Sequence, residues 1–344
     1  MKKYRILICA TSLLSLVSCV DLNLSPLSEG SSNNWYSTQA EIEMSVNDFY
    51  RTDFFPIDDM LWGDDVTARN STSSVQNGTL TAEDGTIATR WQNYYKGIAR
   101  ALRLINSMDH AREVGVPEKD ITQYEGEAYF YMGYAYGMLA FHWGDAILDK
   151  TGMTLDEAYK ATRSPKAEVL AYSYECLDKA AERLPEKYSG LQKATKGAAY
   201  AFKARIALYN GDYAVAEEAA KKCMDLGIYK LHGNYRDLFT ASASEEWIFF
   251  FRGDVILKKY YWAGADVQNC ITRLSGGWGG QKAPSYELVC AYPCTDGKPI
   301  DESPLYNPKD LFENRDPRMA MTIVPFATAY NKKVLDGTYN PKDY

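Results

Sequence analysis

The residues able to do chemistry in this 344-residue chain are few. Three histidines, His110, His142 and His232, stand far apart, so neither a metal site nor a histidine-based triad has a spacing to support it. No His-Glu-x-x-His, Gly-x-Ser-x-Gly, phosphate-loop or dinucleotide fingerprint occurs. No cofactor, no metal and no catalytic residue is therefore expected. The chain holds 45 Asp and Glu. Among so many some carboxylate pair is always available, which keeps a glycoside hydrolase open as an alternative. What stands out is aromatic: 27 Tyr, 7 Trp and 12 Phe make 13% of the chain. Tyr and Trp pair a flat apolar face with a hydrogen-bonding edge, which suits half-wet binding surfaces better than dry cores.

Three tryptophans lie in irregular sequence, where binding residues gather. Trp278 is isolated in Gly276-Gly277-Trp278-Gly279-Gly280, with no local apolar company. Trp262 follows Tyr260 and Tyr261, and Trp62 sits in a polar stretch with Asp64 and Asp65. Each either presents its ring to a ligand or folds back onto the scaffold as a plug. Trp91 and Trp143 fall on apolar helical faces and read as core, as does the tyrosine set of 121–143.

The elements that position these residues begin with a leader. Lys2, Lys3 and Arg5 precede the apolar run Ile6–Val17, which has the length of a signal-peptide core and is too short to span a bilayer. It ends in Leu16-Val17-Ser18-Cys19, which resembles a lipobox. Residues 1–18 are thus expected to be cleaved and Cys19 lipidated, anchoring the chain to a membrane. Residues 19–34, rich in Ser with Pro26 and Gly30, read as anchor and flexible tether with a reach of about 20 Å.

From 35 to 227 the periodicity is helical. Thr38-Gln39-Ala40-Glu41 has capping-box spacing, and Ile42, Val46, Phe49 and Tyr50 follow on one face. After a long polar excursion over 53–88, Trp91, Tyr95, Ile98, Leu102 and Ile105 share a second face. The stretch 121–143 is apolar nearly all round and predicts a central helix. Ser164-Pro165 predicts an N-cap with Pro at the first helical position of a helix that stops before Pro185. Residues 194–227 form a 34-residue unit of helix, Asn210-Gly211-Asp212 turn and helix, closed by Gly227. That is the tetratricopeptide period, with Ala198, Ala204, Ala216 and Ala220 expected at the close approach. Residues 121–143 with 165–184 look like a second copy. Beyond 228 Gly and Pro accumulate, and Glu246–Arg252 reads as a short strand or buried segment. Cys176 and Cys223 read as core, while Cys290 and Cys294 are close enough in sequence to pair or to stay free. The expectation is a mainly α fold: a tetratricopeptide-like scaffold of helical pairs over 35–227, with an irregular lobe and a few short strands over 228–344.

Charge narrows the partners. With 38 Lys and Arg against 45 Asp and Glu the formal net charge is −7, which argues against nucleic acid, whose binders carry a basic face.

Several segments, taken in order, resemble the SusD/RagB family. They are Cys19-Val20-Asp21-Leu22-Asn23, Val46-Asn47-Asp48-Phe49-Tyr50, Trp91 with Tyr95 and Ile98, and Glu127-Ala128-Tyr129-Phe130 with Gly144-Asp145. Lys203–Tyr213, Tyr235–Phe239, Pro284–Val289 and Asn314-Arg315-Asp316-Pro317-Arg318 continue the series. Read by charge alone, this last segment is a structural turn rather than a basic contact. The resemblance implies a surface-exposed outer-membrane lipoprotein with no enzymatic activity. It would bind carbohydrate and serve a SusC-like TonB-dependent transporter as partner, through a scaffold of tetratricopeptide-like helices. It also implies more chain after the Asn314–Arg318 segment, so the 228–344 region is expected to be incomplete. Some members take up peptides, so a peptide- or protein-binding adaptor is the alternative.

Overall fold

The capping box at Thr38 starts the first helix. In the computed structural model, which describes residues 35–56, 60–69, 73–188, 193–251 and 280–323, Thr38 Oγ1 accepts from the Glu41 amide at 3.3 Å. Glu41 Oε2 returns the bond, accepting from the Thr38 amide at 3.0 Å. Helix α1 (Gln39–Asn47) follows and buries Ile42 and Val46, and a 3-10 turn (Asp48–Tyr50) buries Phe49. Helix α2 (Gly85–Asn106) is capped by Asp84, which accepts from the Thr86 amide at 2.8 Å. Its core face is Tyr94, Ile98, Ala101, Leu102 and Leu104. A short α3 (Met108–Glu113) leads into α4 (Glu118–Trp143), the central helix, buried on most of its circumference as its all-round apolarity predicts.

Three glycines explain how close the neighbours of α4 come. A Cβ on Gly97 of α2 would stand 2.3 Å from the Tyr131 ring. One on Gly133 would meet Leu177 at 2.5 Å, and one on Gly137 would meet Ile206 at 2.5 Å. Each glycine costs helix propensity of about 1 kcal/mol, offset by the packing that the missing side chain permits.

After α5 (Leu155–Lys160), helix α6 (Lys166–Arg183) pairs with α4. Its N-terminus departs from the expected cap. Ser164 is held in an antiparallel bridge with Ala146, and Pro165 takes the N-cap position without a side-chain bond. Asp145 supplies the missing acceptor, taking the Lys166 amide at 2.8 Å from 21 residues away. Helices α7 (Lys196–Tyr209) and α8 (Tyr213–Asp225) form the hairpin expected from the 34-residue unit. Its close face is Ala216, Ala219 and Cys223 rather than Ala220, which is exposed, and Ala204 is half-buried. The scaffold is mainly α and built of helical pairs, and no described helix is long and apolar enough to cross a membrane.

The remainder is irregular, with short α9 (Tyr235–Leu238), α10 (Tyr286–Ala291) and α11 (Pro317–Thr322). The run 246–251 is not a strand: Ile248, Phe249 and Phe251 pack onto the helical core as irregular chain. The one sheet among the described residues is antiparallel, β1 (Val66–Ala68) against β2 (Lys282–Pro284), with Val66 opposite Pro284 and Ala68 opposite Lys282. Cys176 and Cys223 are buried as expected, and Cys290 and Cys294 are free thiols. Asn314–Arg318 is structural, as its charge pattern predicts. Asn314 takes a left-handed φ of 55°, which Asn tolerates. Arg315 is buried and donates to the carbonyls of Leu311 at 2.9 Å, Val289 at 2.5 Å and Tyr292 at 2.6 Å.

Candidate ligand-binding site

Of the five aromatic candidates, the described residues include Trp62. Trp262, Trp278, Tyr260 and Tyr261 lie outside them, as do Cys19 and its leader. Trp62 ends a 3-10 turn (Met60–Trp62) in the polar excursion and is half-buried. The Arg90 guanidinium, from the first turns of α2 and only 8% exposed, lies 4.3 Å from its ring centroid. A cation at that range is attracted to the electron-rich face and holds the ring in one orientation.

Trp62 lines a shallow recess of about 630 Å³ together with Gly63, Asp64, Val66, Thr67, Gln76, Ser285 and Glu287. Arg90, which lies over the Trp62 ring, is not among the described residues of that lining. The walls come from two distant parts of the chain, held by backbone bonds. Gln76 Nε2 donates to the carbonyls of Gly63 at 2.9 Å and Val66 at 2.8 Å. The Ser285 amide donates to the Asp65 carbonyl at 2.9 Å, and Ser285 Oγ to the Asp64 carbonyl at 2.5 Å. These bonds, with the β1–β2 ladder, place Asp64 and Glu287 on one recess. An aromatic face bordered by hydroxyl, amide and carboxylate groups can stack against a sugar ring and take its hydroxyl protons.

Sequence reasoning missed a second aromatic region. Trp247 and Phe250, 4.9 Å apart, turn away from the core side of their run. A cleft of about 750 Å³ opens on one flank, between Phe55, Tyr134, Met138, Arg205 and Tyr209. Another of about 860 Å³ lies on the other flank, with Tyr188, Thr195, Tyr229 and Phe239. There the Thr195 and Tyr229 hydroxyls are 3.1 Å apart, and burial raises the Tyr229 hydroxyl above its ordinary range. The signal was present but reads two ways, since Trp-Ile-Phe-Phe-Phe looks like core in any register. Trp91 and Trp143, expected in the core, are instead half-buried at its edge, 5.4 Å apart, with Arg163 over Trp91 at 5.0 Å.

The histidines stay scattered. His110 Nε2 is 3.2 Å from Ser37 Oγ, and His232 Nδ1 is 3.0 Å from Ser244 Oγ. Among the described residues no three His, Cys, Asp or Glu side chains group as metal ligands would.

Residues 31–208 match the family described as SusD-like, starch-binding and associating with the outer membrane. SusD-like protein P2 of Formosa agariphila is 25% identical over 259 residues, which span 70% of this chain and 50% of that protein. SusD-like protein P38 of the same organism is 29% identical over 172 residues, spanning 49% of this chain and 33% of that protein. Among solved structures, a SusD-like carbohydrate-binding protein from Bacteroides fragilis superposes with a TM-score of 0.68 at 22% identity, covering 84% of this chain and 60% of that one. The chain therefore spans at most about half the length of the curated relatives it matches.

Proposed function

The chain belongs to the SusD-like family, and from that premise we propose that it captures glycan at the cell surface and delivers it to a SusC-like TonB-dependent outer-membrane transporter. The observation that carries this reading is the Trp62 ring, backed by Arg90 and facing a recess bordered by Asp64, Thr67, Gln76 and Glu287. The mechanism is binding without turnover. The indole face meets the apolar C–H face of a sugar, polar side chains take its hydroxyls, and the captured oligosaccharide is concentrated near the transporter mouth. Trp278 and Trp262, with Tyr260 and Tyr261, are further candidates for stacking on sugar in this proposal. Cys19 carries the lipid anchor. The α7–α8 hairpin, with Leu208, Tyr213 and Met224 exposed, belongs to the face that docks the transporter.

Titration calorimetry with a starch oligosaccharide, then with a wider glycan panel, tests the reading. Trp62→Ala and Trp278→Ala are each expected to weaken the cognate glycan about tenfold, a loss of about 1.4 kcal/mol, with the melting temperature unchanged. A lowered melting temperature with unchanged affinity would return either ring to a packing role. Sugar release from the panel by the purified protein would favour a hydrolase instead. A Cys19→Ala protein is expected to leave the membrane fraction.

A further inference from the structure

Asp64 and Glu287 come from segments more than two hundred residues apart, yet line one recess. Asp64 lies two residues after Trp62, and Glu287 lies two residues after Ser285, whose amide and hydroxyl bind the carbonyls of Asp65 and Asp64. The backbone segments that carry the two carboxylates are therefore held together beside the indole. Both are exposed, and neither has a hydrogen-bond or ion-pair partner among the described residues. Elsewhere the fold pairs many of its acids: Glu127 with Lys193, Asp178 with Lys203, Glu118 with Arg112 and Asp316 with Arg318.

No Lys or Arg is among the described residues that line this recess. Arg90 lies over the Trp62 ring and outside the recess. Arg69 and Lys282 stand toward the other end of the β ribbon. Lys282 is opposite Ala68, two pairs from Val66 and Pro284, about 7 Å further along the strands. Among the described residues the recess is thus an aromatic face bordered by two carboxylates and no Lys or Arg.

We propose that Asp64 and Glu287 make the Trp62 recess selective for sugar units that carry a free amino group. The ring of a hexosamine stacks on the indole while its ammonium sits between the two carboxylates. The proposal rests on the reading of Trp62 as a glycan-stacking residue and adds the ligand class.

Chitosan, chitin and cellulose oligomers of one length share their linkage and differ at one substituent: ammonium, acetamide or hydroxyl. Tryptophan fluorescence titration of the full chain is expected to give about tenfold tighter binding for the chitosan oligomer at low ionic strength. That margin shrinks at high salt, where exposed charges are screened. It disappears in the Asp64→Asn/Glu287→Gln double variant, which binds the three oligomers alike and keeps the wild-type melting temperature. Equal binding of the three oligomers, or a margin that survives the double variant, overturns the proposal. So does a lysine tripeptide that binds tighter than the chitosan oligomer, which would make the site a peptide site. If the margin is absent but Trp62→Ala still abolishes binding of all three, the glycan reading stands and the amino-sugar class falls. Binding of any oligomer that is indifferent to Trp62→Ala removes the underlying reading as well.

Discussion

Glu127, on the central helix, is 1% exposed, and its carboxylate gathers Tyr50 Oη at 2.7 Å, Gln123 Nε2 at 3.2 Å and Lys193 Nζ at 3.2 Å. Tyr50 Oη in turn accepts from the Ala194 amide at 2.9 Å. One buried side chain thus ties the 3-10 turn after the first helix, the central helix and the entry to the hairpin. Burial raises the Glu127 carboxyl above the ordinary carboxylate range, with Lys193, Tyr50 and Gln123 opposing it. A raised folded value means that ionisation costs folding stability. The favourable contribution is complete below the unfolded value and is lost as pH rises through the folded one. Wild-type stability should therefore gain on that of Glu127→Gln as pH falls from neutral into the acid range, read as the difference in melting temperature. A difference that does not vary with pH contradicts the raised value. Glu127→Ala removes the partner of Lys193, whose side chain is 12% exposed. It should cost about 3 kcal/mol in denaturant unfolding, as breaking a buried pair does.

At the scale of elements, the glycines separate packing from propensity. Gly97→Ala drives a Cβ to 2.3 Å from Tyr131, and Gly133→Ala to 2.5 Å from Leu177. Each should destabilise by about 1–3 kcal/mol, because neither neighbour has room to retreat inside a packed helix pair. Gly85→Ala, with nothing within 4 Å at the start of α2, is the control and should be neutral or slightly stabilising. The α6 cap behaves differently from a local motif. Asp145→Ala should cost about 1 kcal/mol of thermal stability although it lies outside the helix it caps. Local patterning made most helix positions readable. The capping box of α1 and the Gly227 stop need only neighbouring residues, so their chemistry is written in adjacent letters. The α6 cap was misplaced because its acceptor, Asp145, reaches Lys166 through a bridge between Ala146 and Ser164 that no local window contains.

At the scale of the molecule, the segment 280–323 meets the polar excursion of residues 60–69 through the β1–β2 ladder and Ser285. It closes on itself through Arg315, which holds three carbonyls at once. Arg315→Met leaves those carbonyls without their shared donor. It should speed proteolytic cleavage within 280–323 while far-UV circular dichroism keeps its helical intensity, because the helix pairs do not depend on it. Simultaneous loss of helicity would mean that this segment and the helical core unfold as one unit.

By itself the sequence determined the class of the molecule. A 34-residue helical unit, an all-round apolar central helix and ordered family segments sufficed for a mainly α scaffold and a family. These signals depend on period and on near neighbours, which any chain carries in one dimension. It also marked Trp62 as an aromatic residue in polar company. Only the tertiary structure decided what that company is. Arg90, Gln76 and Glu287 are remote from Trp62 in sequence, and nothing in their spacing predicts that they surround one ring or its recess. The antiparallel ladder and the Ser285 bonds bring Glu287 there, the Gln76 side chain reaches the Gly63 and Val66 carbonyls, and α2 carries Arg90 to the ring. The same reasoning separates Trp247 from its apolar run: a stretch of bulky side chains shows that something is buried, but only packing decides which faces remain open.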